Sequence, residues 1–106
     1  MKCLVIQLHP SMDTSFTEQD VIKLVRSVGR FPEIDIDDEQ DNLINLNFFS
    51  EDLPLLWADL KAGFETNKDL GNWISKVAII ACEGEDGWDD ALLLAHYDKS
   101  ELLDEF

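Results

Sequence analysis

Two stretches far apart in the chain, Lys2–Leu8 and Val77–Cys82, are apolar on both of the faces that a strand presents. Side chains alternate sides along a strand, so a strand with water on one face is apolar only at every second position. In the first stretch Leu4, Ile6 and Leu8 fall on one side, and Cys3 and Val5 on the other. Such segments belong in the middle of a sheet. The residues between and around them must supply the flanking strands and the helical cover.

The first cover is a helix with clear ends. Thr17 is the N-cap, with Asp20 three residues later in the place of a capping-box acid. Phe16 and Val21 have the spacing of a hydrophobic staple, and Val21, Ile22, Val25 and Val28 line one side. Gly29 supplies the C-cap and Pro32 prevents continuation. Lys23, Arg26 and Arg30 lie in the later turns, where the helix dipole favours cations.

Glu33 to Asp37 alternates strictly, which predicts a strand with Ile34 and Ile36 towards the core and its acids in water. Asp38 to Asn42 reads as a turn, and Leu43 to Phe49 as the returning strand. A second helix begins near Ser50, with Leu53, Leu56, Trp57, Leu60 and Phe64 on one stripe and Pro54 in its first turn. Trp57 and Phe64 are predicted in the core. Gly71 argues against one continuous helix through Thr66–Lys76, where Leu70, Trp73 and Ile74 cover the core's edge. After Val77–Cys82 comes an acidic, glycine-containing loop, Glu83–Asp90. Ala91–Tyr97 then reads as a last strand, because a hairpin is the simplest connection. Helix is the alternative over residues 89–96, since Ala and Leu favour it. Residues 98–106 form an acidic tail.

The order is β-α-β-β-α-β-β, that of a ferredoxin-like α/β (α+β) sandwich: a mainly antiparallel sheet ordered 2-3-1-4-5, with the helices on one face. Residues 1–106 are expected to make one domain. The first and fourth strands become antiparallel neighbours, so Cys3 should lie near Cys82. The other face of the sheet, bearing Asn and Asp side chains, is left for a partner.

Charge narrows the function. Acids number 23 and bases 8, for a net charge of −15. That balance opposes direct nucleic-acid binding and docking on anionic lipid. No apolar run reaches the roughly 18 residues of a membrane span, and the N-terminus does not read as a signal peptide. The expected setting is the cytoplasm, with both thiols reduced.

Motifs that carry chemistry are missing. His9 and His96 are the only histidines, and the predicted order puts a strand between theirs, away from any nucleophile. Glycine patterns that cradle phosphate do not occur. Asp35, Asp37, Glu39 and Asp41 alternate like the start of a calcium loop, but Gln40 and Leu46 stand where the loop needs Gly and Glu. Glu83–Asp90, with five acids and two glycines in eight residues, reads as a solvated loop, with a weak divalent-cation site as the alternative, and no acid is singled out as half of a catalytic pair. Neither a cofactor nor a catalytic residue is expected.

The acids are clustered. Glu33, Asp35, Asp37, Asp38, Glu39 and Asp41 are one group, and Glu83, Glu85, Asp86, Asp89 and Asp90 another. Solubility accounts for such clusters, and so does a partner with a basic surface, since complementary charge speeds encounter and rejects wrong partners. Trp88, among the second group, either folds back on the core or stands exposed as an interface anchor. In size, charge and lack of catalytic motif the chain resembles bacterial immunity proteins and antitoxins, a resemblance of composition and not of any motif. It implies a non-enzymatic inhibitor of a basic, nuclease-like toxin, contacting it through Asp35, Asp37, Glu39, Glu85, Asp86, Trp88, Asp89 and Asp90. A nucleic-acid mimic is a related version. The alternative is a small ligand-binding or catalytic domain acting as a homo-oligomer, whose pocket would gather His9, His96, Tyr97 and Cys82.

Overall fold

A computed structural model describes residues 1–37 and 42–106. Its elements are β1 (Lys2–Leu8), α1 (Glu18–Ser27), β2 (Glu33–Asp37), β3 (Leu43–Ser50), α2 (Leu53–Thr66), α3 (Lys68–Val77), β4 (Ala78–Gly84) and β5 (Gly87–His96). The strands form one sheet ordered β2-β3-β1-β4-β5, with every neighbouring pair antiparallel. β1 and β4, the two doubly apolar segments, hold interior positions.

Register decides the faces. Leu4, Ile6 and Leu8 stand opposite Phe48, Leu46 and Ile44 on β3 and opposite Cys82, Ile80 and Ala78 on β4. These residues are buried with Val21, Ile22 and Val25 of α1, Leu53, Leu56 and Leu60 of α2, and Leu70, Trp73, Ile74 and Val77 of α3. All three helices therefore draw on one face of the sheet, leaving the other open.

The predicted α1 caps are present. The Thr17 backbone N–H donates to Asp20 Oδ2 at 2.9 Å. At the other end Gly29 N–H donates to the Arg26 carbonyl and Arg30 N–H to that of Val25, the pair of bonds that closes a Schellman cap. Phe16 packs against the core beside Trp73.

Thr66–Lys76 is better organised than its irregular pattern suggests. Asn67 ends α2 and caps α3, its side chain accepting from Leu70 N–H at 3.2 Å. Gly71 permits this corner: a Cβ there would stand 2.7 Å from the Phe64 carbonyl oxygen. The glycine marks a close approach of two helices and not an absence of helix. Trp57 and Phe64 pack only partly buried against the core, and Lys61 lies over the Trp57 ring.

Two expectations need correction. Ile34 and Ile36 do face the helix side, opposite Leu46 and Ile44, yet they are 45% and 52% exposed. Their strand is the sheet's outermost, and the buried helix residues cluster with β1, β3 and β4 instead. Glu83–Asp90 is not one loop. Gly84 pairs with Gly87 across a turn at Glu85–Asp86, so Trp88, Asp89 and Asp90 belong to β5. Gly87 has a positive φ of 81°, and a Cβ on Gly84 would collide with Asp90, so this turn needs both glycines. Cys3 and Cys82 are close along the β1–β4 ladder, as expected, and lie on opposite faces because Cys82 stands opposite Leu4.

Residues 91–96 are strand, as expected, and not helix. No helix among the described residues is long and apolar enough to cross a membrane.

Candidate functional site

The open face of the sheet is built from the alternate residues of five strands. Two rows cross it in register. One runs Glu33, Asn47, Val5, Ala81 and Leu93, and the other Asp35, Asn45, Gln7, Ile79 and His96. Phe49, opposite Cys3, adds a ring 49% exposed. The face is thus apolar and amide-bearing in the middle and acidic along β2.

Cations are absent from it. Strands β2, β3, β4 and β5 contain no lysine or arginine. Of the 8 basic residues, Lys23, Arg26, Lys61, Lys68 and Lys76 lie on the helices. Arg30 is paired with Asp59 of α2 at 2.6 Å. Lys2, on the helix side of β1, donates to the Gly84 carbonyl at 2.8 Å. Lys99 donates to the Ser75 carbonyl at 2.8 Å.

The expected contact residues divide between two diagonally opposed corners. Asp35 and Asp37 lie on the edge strand β2, Asp37 at its far end. Glu85, Asp86, Trp88, Asp89 and Asp90 lie at the β4–β5 hairpin, at the opposite end and edge of the sheet. Four strand spacings, roughly 19 Å, separate β2 from β5. Glu39, with Asp38 and Asp41, falls outside the described residues.

Within the hairpin the acids differ in role. Asp90 Oδ1 accepts from Asp86 N–H at 2.9 Å and shapes the turn. The ladder slips between Cys82 and Gly84, which pair with Leu92 and Gly87, so residues 88–91 of β5 form an arch whose Asp90 stays against Gly84. Trp88 rides on that arch, 50% exposed, and does not fold back on the core.

Two further acids bear on the face. Glu83 accepts a hydrogen bond from Cys3 N–H through Oε2. Glu33 continues the acidic row of β2. Burial, then the negative charges of Glu83 and Glu33, push the Cys3 thiol pKa up. Glu33 has a signal in sequence, its alternation with Asp35 and Asp37. Phe49 has one too, since alternation along its strand puts it on the side of Asn45 and Asn47, away from Phe48.

The two histidines are not kept apart. β4 does lie between their strands, but His9 follows β1 and Tyr97 follows β5, and their rings meet at 5.2 Å. The His96 ring also packs on Tyr97, at 4.6 Å. His9 Nε2 lies 3.0 Å from Gln7 Oε1, and Gln7 donates to Asn45 Oδ1 at 3.3 Å. Burial, and secondarily His96, lowers the His9 pKa. Cys82 does not join this cluster, being buried on the helix side.

Two cavities of about 420 Å³ each lie by the C-terminal tail and hold none of His9, His96, Tyr97 or Cys82. Among the described residues no group of three or more His, Cys, Asp or Glu could hold a metal ion. Comparison with protein-family models, with curated proteins and with solved structures found no match.

Proposed function

We propose that this protein is a non-enzymatic binder of a basic protein, and that the open face of the sheet with its two acidic corners is the binding surface. The observation that carries this reading is the segregation of charge. Lysine and arginine are confined to the helices, the chain ends and the tied positions of Lys2, Arg30 and Lys99, whereas Glu33, Asp35, Asp37 and Glu83 border the open face. A surface used only for solubility has no need to exclude one sign of charge from one face.

The size of the surface suits one partner. A standard interface takes about 800 Å² from each side, enough to span both corners. Phe49 and Trp88 supply aromatic anchors of the kind that concentrate binding energy, and the carboxylates set encounter rate and partner choice. The best-fitting class is an immunity protein or antitoxin acting in the cytoplasm. A nuclease toxin needs a positive cleft for its phosphate-bearing substrate, and an acidic plug fits that cleft.

The test is a pull-down from the native cells with the tagged chain, washed at low and high salt. A parallel experiment uses a variant reversed at Asp35, Asp86 and Asp89. One basic protein, held in stoichiometric amount by the native chain and lost by the variant, is the expected result. Equal capture by the variant refutes the electrostatic reading. Recovery of the chain alone supports a homo-oligomeric domain instead.

A further inference from the structure

The two edges of the sheet are treated differently. At β5 the chain covers its own edge. Asp104 Oδ2 accepts from Leu93 N–H at 2.8 Å, and Asp104 N–H donates to the Leu93 carbonyl at 2.7 Å. At the other edge, β2 ends the strand order, and no described segment pairs with its far side. Ile34 and Ile36 project on its helix side, half exposed, and Phe31 just before it is more exposed still. Glu33 and Asp35 project on its open-face side.

A bare edge with apolar side chains on one face is a template for another strand. The side chains decide which strand. In a second copy pairing antiparallel about a two-fold axis normal to the sheet, like faces meet. Glu33 and Asp35 of one chain would then face the same carboxylates of the other, and like charges opposite one another are destabilising. A strand with lysine or arginine at every second position and apolar residues between them satisfies both faces. Its cations meet Glu33 and Asp35 while its apolar side chains cover Ile34 and Ile36.

We propose that β2 is a docking edge on which an extended segment of a basic partner, alternating Lys or Arg with apolar residues, adds as a sixth strand. This rests on the reading above that the partner is basic, and it adds where and in what conformation one segment binds.

The test titrates the isotope-labelled full chain with three synthetic eight-residue peptides. One alternates lysine and valine, one has the same composition in two blocks, and one alternates glutamate and valine. The lysine–valine alternation should give saturable shifts and slowed amide exchange in residues 33–37. The block peptide should bind about tenfold more weakly, because the cross-strand pairs are lost. Asp35→Lys should weaken the lysine peptide and admit the glutamate one. Ile34→Ser with Ile36→Ser, a change at exposed positions, should weaken the lysine–valine peptide. Equal binding of the alternating and block peptides, or shifts confined to residues 85–90, would overturn the proposal. So would self-association of the native chain through β2. Capture of a basic protein that Ile34→Ser/Ile36→Ser leaves intact would refute strand addition alone, whereas pattern-specific peptide binding with no basic protein captured would refute the broader reading alone.

Discussion

Asp104 closes the β5 edge by making both of its bonds to one residue, Leu93: its carboxylate takes the N–H and its own N–H takes the carbonyl. One residue, through its carboxylate and its backbone N–H, here does what a neighbouring strand does with its backbone. The contact holds the tail beside α2, where Leu103 and Phe106 line a cavity with Pro54, Trp57 and Leu94. Asp104→Ala should speed exchange of the Leu93 amide about tenfold, with little change at Leu46 in the protected interior. Hydrogen exchange resolved by residue checks this. Equal protection in the variant would mean that the tail does not hold the edge.

Leu46 and Ile34 are paired across β2 and β3, but only Leu46 is inside. Leu46→Ala should cost about 2–5 kcal/mol, the range for truncating a buried leucine. Ile36→Ser should stay within about 1 kcal/mol, because its side chain is already half in water. Urea denaturation of the two variants separates them. A large loss from Ile36→Ser would show that β2 is covered in solution.

This contrast also marks what the sequence can reveal. The period of two in Glu33–Asp37 gives the strand and the side on which each residue lies, since both are properties of a single strand. Burial is not such a property. It depends on which helix lies overhead, and the helices here sit over β1, β3 and β4. The sheet order was legible because two doubly apolar segments had to be interior and short connections left few arrangements. The acidic candidates were legible as residues but not as a site. Sequence clusters them into two runs, and only the strand order sends those runs to opposite corners. The meeting of His9 with Tyr97 was hidden for a similar reason. Both residues lie beyond their strands' ends, where order within the sheet no longer keeps them apart.

His9 should impose a pH dependence on stability. Its folded-state pKa lies below 6.5, chiefly through burial and secondarily through His96. The unfolded chain therefore takes up the proton first as pH falls. Stability is complete above the unfolded value and is lost as pH drops towards the folded one. Melting curves between pH 7.5 and 5.5 should show a steeper fall for the native chain than for His9→Gln. An NMR titration of the His9 ring should have its midpoint below 6.5, and His96→Gln should raise that midpoint only partly, because burial remains. A midpoint at or above 6.5 would contradict the packing at Tyr97.

Cys3 and Cys82 are both buried and free, and burial is the first cause of each raised pKa. Thiolate is the reactive form, so neither should be alkylated readily by iodoacetamide at pH 7.5 in the native protein. Both should react fully in urea. Mild oxidation should leave no internal disulfide, because the two side chains lie on opposite faces of the sheet. Mass spectrometry distinguishes these states. A Cys3–Cys82 bridge formed without unfolding would contradict the β1–β4 register.

The helices carry as many acids as cations, five of each, whereas strands β2 to β5 carry carboxylates and no cation, and this imbalance gives the molecule an electric dipole directed through its thickness. A cationic surface within about 10 Å, the reach of charge at ordinary ionic strength, exerts a torque on it as well as a pull. The chain turns its sheet towards such a surface before any side chain touches. Rotational search shortens, so added salt should slow association far more than it hastens release. Reversing acids on the helices instead would increase the moment while lowering the net charge, which separates orientation from attraction as the origin of the rate.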